Sequence, residues 1–287
     1  MCRFLMYLGP EVRLASLITE PSHSLINQSV RSRERSEPLN GDGFGVAWYR
    51  PETDPLPATF RSISPAWSNR NLQDLSRVTQ SACVLAHVRA ASPGLPVTET
   101  NCHPFAHDGY AFMHNGSVGD FRRLRRAFVA ALSPEACENI DGTTDSEHVF
   151  GLFLDRVRAG DEMHPAERLA AGLEGAIADA LEIVGDRNEG QPVDLNLAVS
   201  DGQRAAATRF TTRDADEAAS LYVHAGGRYR CQDGVCSMVD ADTEDGAVII
   251  ASEPLSADPG WEPVPANHVV VVGGGTRVET RALGVGG

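Results

Sequence analysis

The chain has 287 residues, 42% of them hydrophobic and 22% charged, the balance of an ordinary globular protein of one large or two small domains. All 25 basic residues are arginine, which excludes a lysine Schiff base, a pyridoxal-phosphate anchor and a Walker-A phosphate loop. A net charge of −14 argues against nucleic acid or an anionic membrane as partner. No apolar run approaches the roughly 18 residues of a membrane span. Pro10, Glu11 and Arg13 break the apolar start, so it does not read as a signal peptide and the cytoplasm is the expected location.

In chain order, Arg3 to Leu8 reads as a strand that ties the first residues into a sheet. Leu14 to Ile18 suggests a helical turn. Gly43 to Tyr49 is strand-like after a turn at Asn40-Gly41-Asp42-Gly43, and Arg50 to Pro57 reads as a surface loop. Ala82 to Arg89 and Gly109 to His114 are further strands. Helices are expected over Asp120 to Leu132, with Arg122-Arg123-Leu124-Arg125-Arg126 as its solvated face, over Thr144 to Val157, and over Pro165 to Val184. Strand-like stretches follow at Asp194 to Ser200, Ala205 to Phe210, Leu221 to Ala225, Ala247 to Ala251 and Val269 to Val272. There is no long linker, repeat or low-complexity tract. Strands, then helices, then strands suit one α+β domain over 1–287, its two sheets sandwiching or enclosing helices. None of the cysteines at positions 2, 83, 102, 137, 231 and 236 forms Cys-x-x-Cys, and Cys231/Cys236 lack a second pair. No metal site is expected, and most of these cysteines should be buried thiols or surface bystanders.

Cys2 stands behind an initiator methionine that its small side chain allows to be removed. Removal leaves a thiol and a free α-amine on one residue, a nucleophile and a base held together covalently. Four further clusters carry polar chemistry. The glycine-rich Asn40-Gly41-Asp42-Gly43-Phe44-Gly45 lets backbone N–H groups approach a ligand, or is simply a tight turn. In strand geometry His87 and Arg89 share a face, and Arg89 suits bidentate capture of a carboxylate if that face lines a pocket rather than solvent. Asn101-Cys102-His103-Pro104-Phe105 precedes Met113-His114-Asn115-Gly116. There Asn-Gly is either the common hairpin turn or a pair of oxyanion donors. Asp145 in Thr144-Asp145-Ser146-Glu147 is either part of a helix cap or a carboxylate for a substrate ammonium.

Together and in this order, Cys2, the Asn40–Gly45 turn, Ala86-His87-Val88-Arg89, His114-Asn115-Gly116 and Thr144-Asp145-Ser146-Glu147 resemble the class II glutamine amidotransferases. Pro21-Ser22-His23-Ser24-Leu25-Ile26-Asn27-Gln28-Ser29, Ser64-Pro65-Ala66-Trp67-Ser68-Asn69, Glu99 to Phe105 and Ala251-Ser252-Glu253-Pro254-Leu255 are similar to the standalone glutathione-degrading members. The likeness runs to about residue 272. It implies a four-layer αββα N-terminal-nucleophile (Ntn) hydrolase sandwich that hydrolyses a γ-glutamyl amide through a thioester. It also implies Cys2 as nucleophile, its own α-amine as base, and Asn115 and Gly116 as oxyanion donors. Arg89 takes the α-carboxylate and Asp145 the α-ammonium, with Asn40, Gly41, Asp42 and His103 lining the substrate site. His87, His103 and His114 are expected to orient the pocket rather than to act as a base. No cofactor is implied, and a metallopeptidase-like protein is the implied partner. The loop Arg31-Ser32-Arg33-Glu34-Arg35 meets the glycine carboxylate of glutathione or is merely solvated. The alternatives are a hydrolase of ergothioneine synthesis, a glutaminase feeding a separate synthase (the chain leaves no room for a synthase domain), and a non-catalytic γ-glutamyl-binding subunit.

Overall fold

The computed structural model describes residues 2–34, 39–92, 94–160, 163–232, 235–239, 246–274 and 277–285. One antiparallel sheet carries, in spatial order, β13 (Glu262–Pro263), β9 (Tyr222–Ala225), β12 (Val248–Ala251), β1 (Arg3–Arg13), β4 (Gln80–Val88), β2 (Phe44–Arg50) and β3 (Asp54–Ser62). The second runs β15 (Val278–Ala282), β14 (His268–Val272), β8 (Ala205–Arg209), β7 (Val193–Ser200), β6 (Tyr110–Val118) and β5 (Phe105–His107). A separate hairpin pairs β10 (Arg228–Gln232) with β11 (Val235–Val239).

Side-chain alternation along the strands explains the layering. In β1, Phe4, Met6 and Leu8 join Ala111 and Met113 of β6 and Val270 and Val272 of β14 in a core between the sheets. Leu5 and Tyr7 point the other way, into a core shared with Leu17 and Ile18 of α1 (Ala15–Ile18), Leu25 of α2 (Leu25–Val30) and Leu72 of α3 (Arg70–Val78). On the far side of the second sheet, Phe112, Leu195 and Leu197 pack on α4 (Phe121–Ala131), α6 (Asp145–Ala159) and α7 (Pro165–Val184), with α5 (Pro134–Glu138) between α4 and α6 in the chain. The order is therefore helices, sheet, sheet, helices. The αββα expectation holds. Helices enclose the sheets, correcting the reading from element order alone in which sheets enclose helices.

Three local readings change as well. The expected loop after Arg50 already becomes β3 at Asp54. Asn115-Gly116 lies inside β6, paired with Asn196 and Leu195 of β7, and is not a hairpin turn. Cys231 and Cys236 face each other across the β10–β11 hairpin and are joined in a disulfide, so they are not free thiols. Among the described residues no helix is long and apolar enough to cross a membrane.

Candidate active site

The strand registers bring the sequence-distant clusters together. Arg3 pairs with Val88 and Phe4 with His87, while Phe44 of β2 also pairs with Val88. Cys2, Arg89 and the Asn40–Gly43 turn thus leave the first sheet at the same end of its interior strands. The turn is fixed to the end of β4 by backbone bonds: Arg89 N–H donates to Gly43 O at 2.8 Å and Asp42 N–H to Arg89 O at 3.0 Å. The Asp42 carboxylate accepts from Ala91 N–H at 2.8 Å, so its visible work is to shape the Arg89 loop. Asn40 is fully buried, and its N–H donates to Ser29 O at 2.7 Å. Gly41 lies against Trp67, where an added Cβ would stand 3.0 Å from the indole. Gly43 has φ +115°, and a Cβ there would fall 2.7 Å from Cys102 Sγ, so glycine is required on two counts.

Half-buried Cys2 directs Sγ at Ala90 O, 3.6 Å away. Burial pushes its thiol pKa up, against the lowering influence of Arg89 and Arg3. A thiol held protonated in this way needs a base to become a nucleophile. Arg89 is buried; Nη2 donates to Pro96 O at 3.3 Å, and Nη1 finds no partner among the described residues. Asn101 supports the same loop, its amide donating to Pro96 O at 3.0 Å and accepting from Thr143 N–H at 2.8 Å.

The second sheet supplies the other half. His87 Nε2–H donates to His114 O at 3.1 Å, bridging β4 to the residue beside Asn115. His114 donates from Nε2 to Asp194 O at 3.0 Å and accepts at Nδ1 from Ser146 Oγ at 2.8 Å. Ser146 follows Asp145, whose Oδ2 accepts from Val118 N–H at 2.7 Å and Oδ1 from Ser146 N–H at 2.8 Å. The first turn of α6 is thereby locked to the end of β6. Thr144 caps that helix as expected, accepting from Glu147 N–H at 3.3 Å. Glu147, instead of reaching back to the cap, accepts from Asp141 and Gly142 N–H at 2.9 and 2.7 Å. Asn115 is buried with Oδ1 unpartnered among the described residues. At Gly116 an added Cβ would stand 1.9 Å from Asp194 O.

The histidines do not pair with the thiol. His103 packs between His87 and Phe105, ring centroids 4.3 and 4.5 Å away and the planes tilted by 35° and 58°. Burial drives His103 well below its ordinary pKa and His87 down to about 3, so both rings are neutral. The His87 ring braces one sheet to the other, and the His114 ring ties β6 to β7 and to the start of α6. A cavity of 560 Å³ is lined among others by Pro96, the residue that accepts from Arg89, and by Val118, Arg122, Arg125, Thr143 and Asp145; Cys2 and Arg89 do not line it. That size suits a small-molecule ligand. Arg122 and Arg125, read as part of a solvated face, border this cavity. Ser32 and the Arg33 backbone are held against Glu253, and Arg35 of the same loop lies outside the described residues. Among the described residues no group of three or more His, Cys, Asp or Glu side chains converges as a metal site.

Reasoning from sequence missed the roles of Asn101, Arg3 and Glu253. Asn101 and Glu253 both stood inside stretches that carried the resemblance, a signal that could have marked them.

Two antiparallel sheets layered between helices, the first with β1 as its middle strand, form the αββα architecture of the Ntn hydrolases. The chain belongs to the class II glutamine amidotransferases, whose family model matches residues 15–284. It is 37% identical over 292 residues to the probable glutamine amidotransferase DUG3 of Saccharomyces cerevisiae, covering 95% of this chain and 82% of that protein. It is 28% identical over 273 residues to the gamma-glutamyl-hercynylcysteine sulfoxide hydrolase of Mycobacterium tuberculosis, covering 95% and 93%. Among solved structures, a glutamine aminotransferase class-II domain protein from Silicibacter pomeroyi superimposes with TM-score 0.64 at 25% identity, over 98% of this chain and 99% of that one. The glutamine phosphoribosylpyrophosphate amidotransferase of B. subtilis, at 11% identity and TM-score 0.60, shares the fold over 99% of this chain and 50% of its own.

Proposed function

We propose that this protein hydrolyses γ-glutamyl amides through Cys2, with glutathione as its first substrate. The observation that carries the reading is the buried Arg89 guanidinium, with Nη1 unpartnered among the described residues, one residue from the carbonyl that faces the Cys2 thiol. A γ-glutamyl group offers a carboxylate for Arg89, an ammonium for Asp145 and an amide carbonyl for Asn115 and Gly116. The γ-glutamyl substrate in the mycobacterial relative's name supports the same class. Once Met1 is removed, the Cys2 α-amine takes the thiol proton and the thiolate attacks the γ-carbonyl carbon. The oxyanion receives hydrogen bonds from the Asn115 amide and the Gly116 N–H. Collapse breaks the C–N bond, and the α-ammonium returns its proton to the departing amine. The same amine then deprotonates water, which attacks the thioester, releases glutamate and restores the thiol. From glutathione the leaving group is a Cys-Gly dipeptide, suited to consumption by a metallopeptidase-like partner.

The test is glutamate release from glutathione, glutamine and γ-glutamyl dipeptides, together with N-terminal mass spectrometry. The expected result is a chain beginning at Cys2, preference for glutathione, and loss of at least about 10³-fold in kcat for Cys2→Ala. Preference for glutamine would overturn the substrate, and a retained Met1 or an active Cys2→Ala variant the mechanism.

A further inference from the structure

Arg3 shares a strand face with Leu5 and Tyr7, yet it is a guanidinium 1% exposed on a face otherwise apolar. Its partner is the fully buried Glu253, 250 residues away: Arg3 Nε donates to Glu253 Oε1 at 2.6 Å. The remaining nitrogens reach in two directions. Nη2 donates to Ser32 Oγ at 2.5 Å, and Nη1 turns back to donate to Cys2 O at 2.8 Å. Glu253 is itself held from four sides. Ser32 Oγ–H donates to Oε1 at 2.5 Å, while Oε2 faces His23 Nε2 at 2.7 Å and accepts from Arg33 N–H at 2.9 Å. These donors hold its carboxyl pKa well below the ordinary range, outweighing burial.

The neighbouring residue completes the arrangement. Ser252 N–H donates to Phe4 O at 2.9 Å and Ser252 Oγ accepts from Phe4 N–H at 3.0 Å, carrying the β12–β1 ladder past the end of β12. Residues 2, 3 and 4 are therefore each gripped by the Ser252-Glu253 pair, Phe4 through backbone, Arg3 by ion pair, and Cys2 through Arg3.

We propose that Arg3 is a positioning residue for the reaction. Clamped by Glu253 and Ser32, it fixes the Cys2 carbonyl and thereby the orientation in which the thiol and α-amine of the same residue meet the substrate. This rests on the reading of Cys2 as nucleophile. The geometry asks for arginine in particular: one planar fork serves a carboxylate, a hydroxyl and a backbone carbonyl at once, which the point charge of lysine cannot do. It also gives the His23 and Ser252-Glu253 stretches a shared task.

The test compares Arg3→Lys and Ser32→Ala with wild type, in the whole chain with Met1 removed. Steady-state turnover of glutathione is measured alongside iodoacetamide labelling of each cysteine by peptide mass spectrometry. Misplacing a reacting group by about 1 Å costs on the order of 10²-fold in rate. Arg3→Lys is therefore expected to lose about 10- to 100-fold in kcat with KM within about twofold of wild type. Freed from its clamp, the Cys2 thiol should label about fivefold faster, while fully buried Cys83 stays unlabelled and so reports an intact fold. Ser32→Ala, a milder change at a half-buried side chain, should show the same pattern at about threefold in kcat and decides the matter if Arg3→Lys does not fold. Wild-type kcat and Cys2 labelling in both variants overturn the proposal, as does a raised KM with unchanged kcat. If wild type does not hydrolyse glutathione, the substrate reading fails, and the labelling comparison still decides the role of Arg3. An active Cys2→Ala variant removes the nucleophile reading by itself.

Discussion

Arg89 is held in place through its backbone, by Gly43 O and by Asp42 N–H, while among the described residues its side chain makes one hydrogen bond, to Pro96 O. A guanidinium so placed can close on a carboxylate with two parallel bonds, whereas an ammonium makes a single directed contact. Arg89→Lys is accordingly expected to raise KM for glutathione about 10- to 100-fold with a smaller change in kcat, measured by initial rates of glutamate release. The residues with evident chemistry were readable in the sequence: Cys2, Arg89, Asn115, Gly116 and Asp145 all lie on the two facing sheet ends or the helix turn locked to them. Asp42 and His103 were assigned to the ligand, yet their visible contacts are with the Arg89 loop and with two neighbouring rings. Arg3 and Glu253 could not be paired in advance. Their separation is 250 residues, and nothing local to either one announces a partner.

At the scale of elements, Asn115 and Gly116 lie in β6, a paired strand and not a turn. The Asn-Gly signal favours a hairpin only when both residues can take positive φ. Here an eight-residue register with β7, from Ala111 to Val118, holds both extended. The same pairing makes Gly116 indispensable, since a Cβ would fall 1.9 Å from Asp194 O, a backbone atom that cannot step aside. Gly116→Ala should lower unfolding free energy by about 2–3 kcal/mol in urea titration, and the protein that remains folded should be nearly inactive. The helices α4, α6 and α7 were legible because their apolar residues recur at helical spacing over 11 to 20 residues. The shorter α2 and α3, and β3 after its Pro-rich start, were not. Segments of six to nine residues take their conformation from the sheet they cover.

For the whole molecule, the two sheets are joined at the site by His87, a neutral ring donating across the interlayer to His114 O. Burial holds its pKa at about 3, against 6.5 when free. Between those values the unfolded chain binds a proton that the folded chain refuses, so stability is full above pH 6.5 and falls as pH drops toward 3. The slope attributable to one such ring is about 1.4 kcal/mol per pH unit. Urea midpoints should therefore decline steeply from pH 6.5 to pH 4, and His87→Gln, less stable at pH 7, should show a shallower decline. His103, also driven far below its ordinary pKa by burial, acts in the same direction.

The place of β1 between β4 and β12 has one more consequence, for the order of events at the ribosome. Its neighbours begin at residues 80 and 248, so the strand emerges long before anything can pair with it. At about 5–20 residues per second, roughly 10–50 s pass before β12 is made. Throughout that interval residues 3 and 4 can pair with β4 but lack the contacts to Ser252 and Glu253 that hold them in the finished fold.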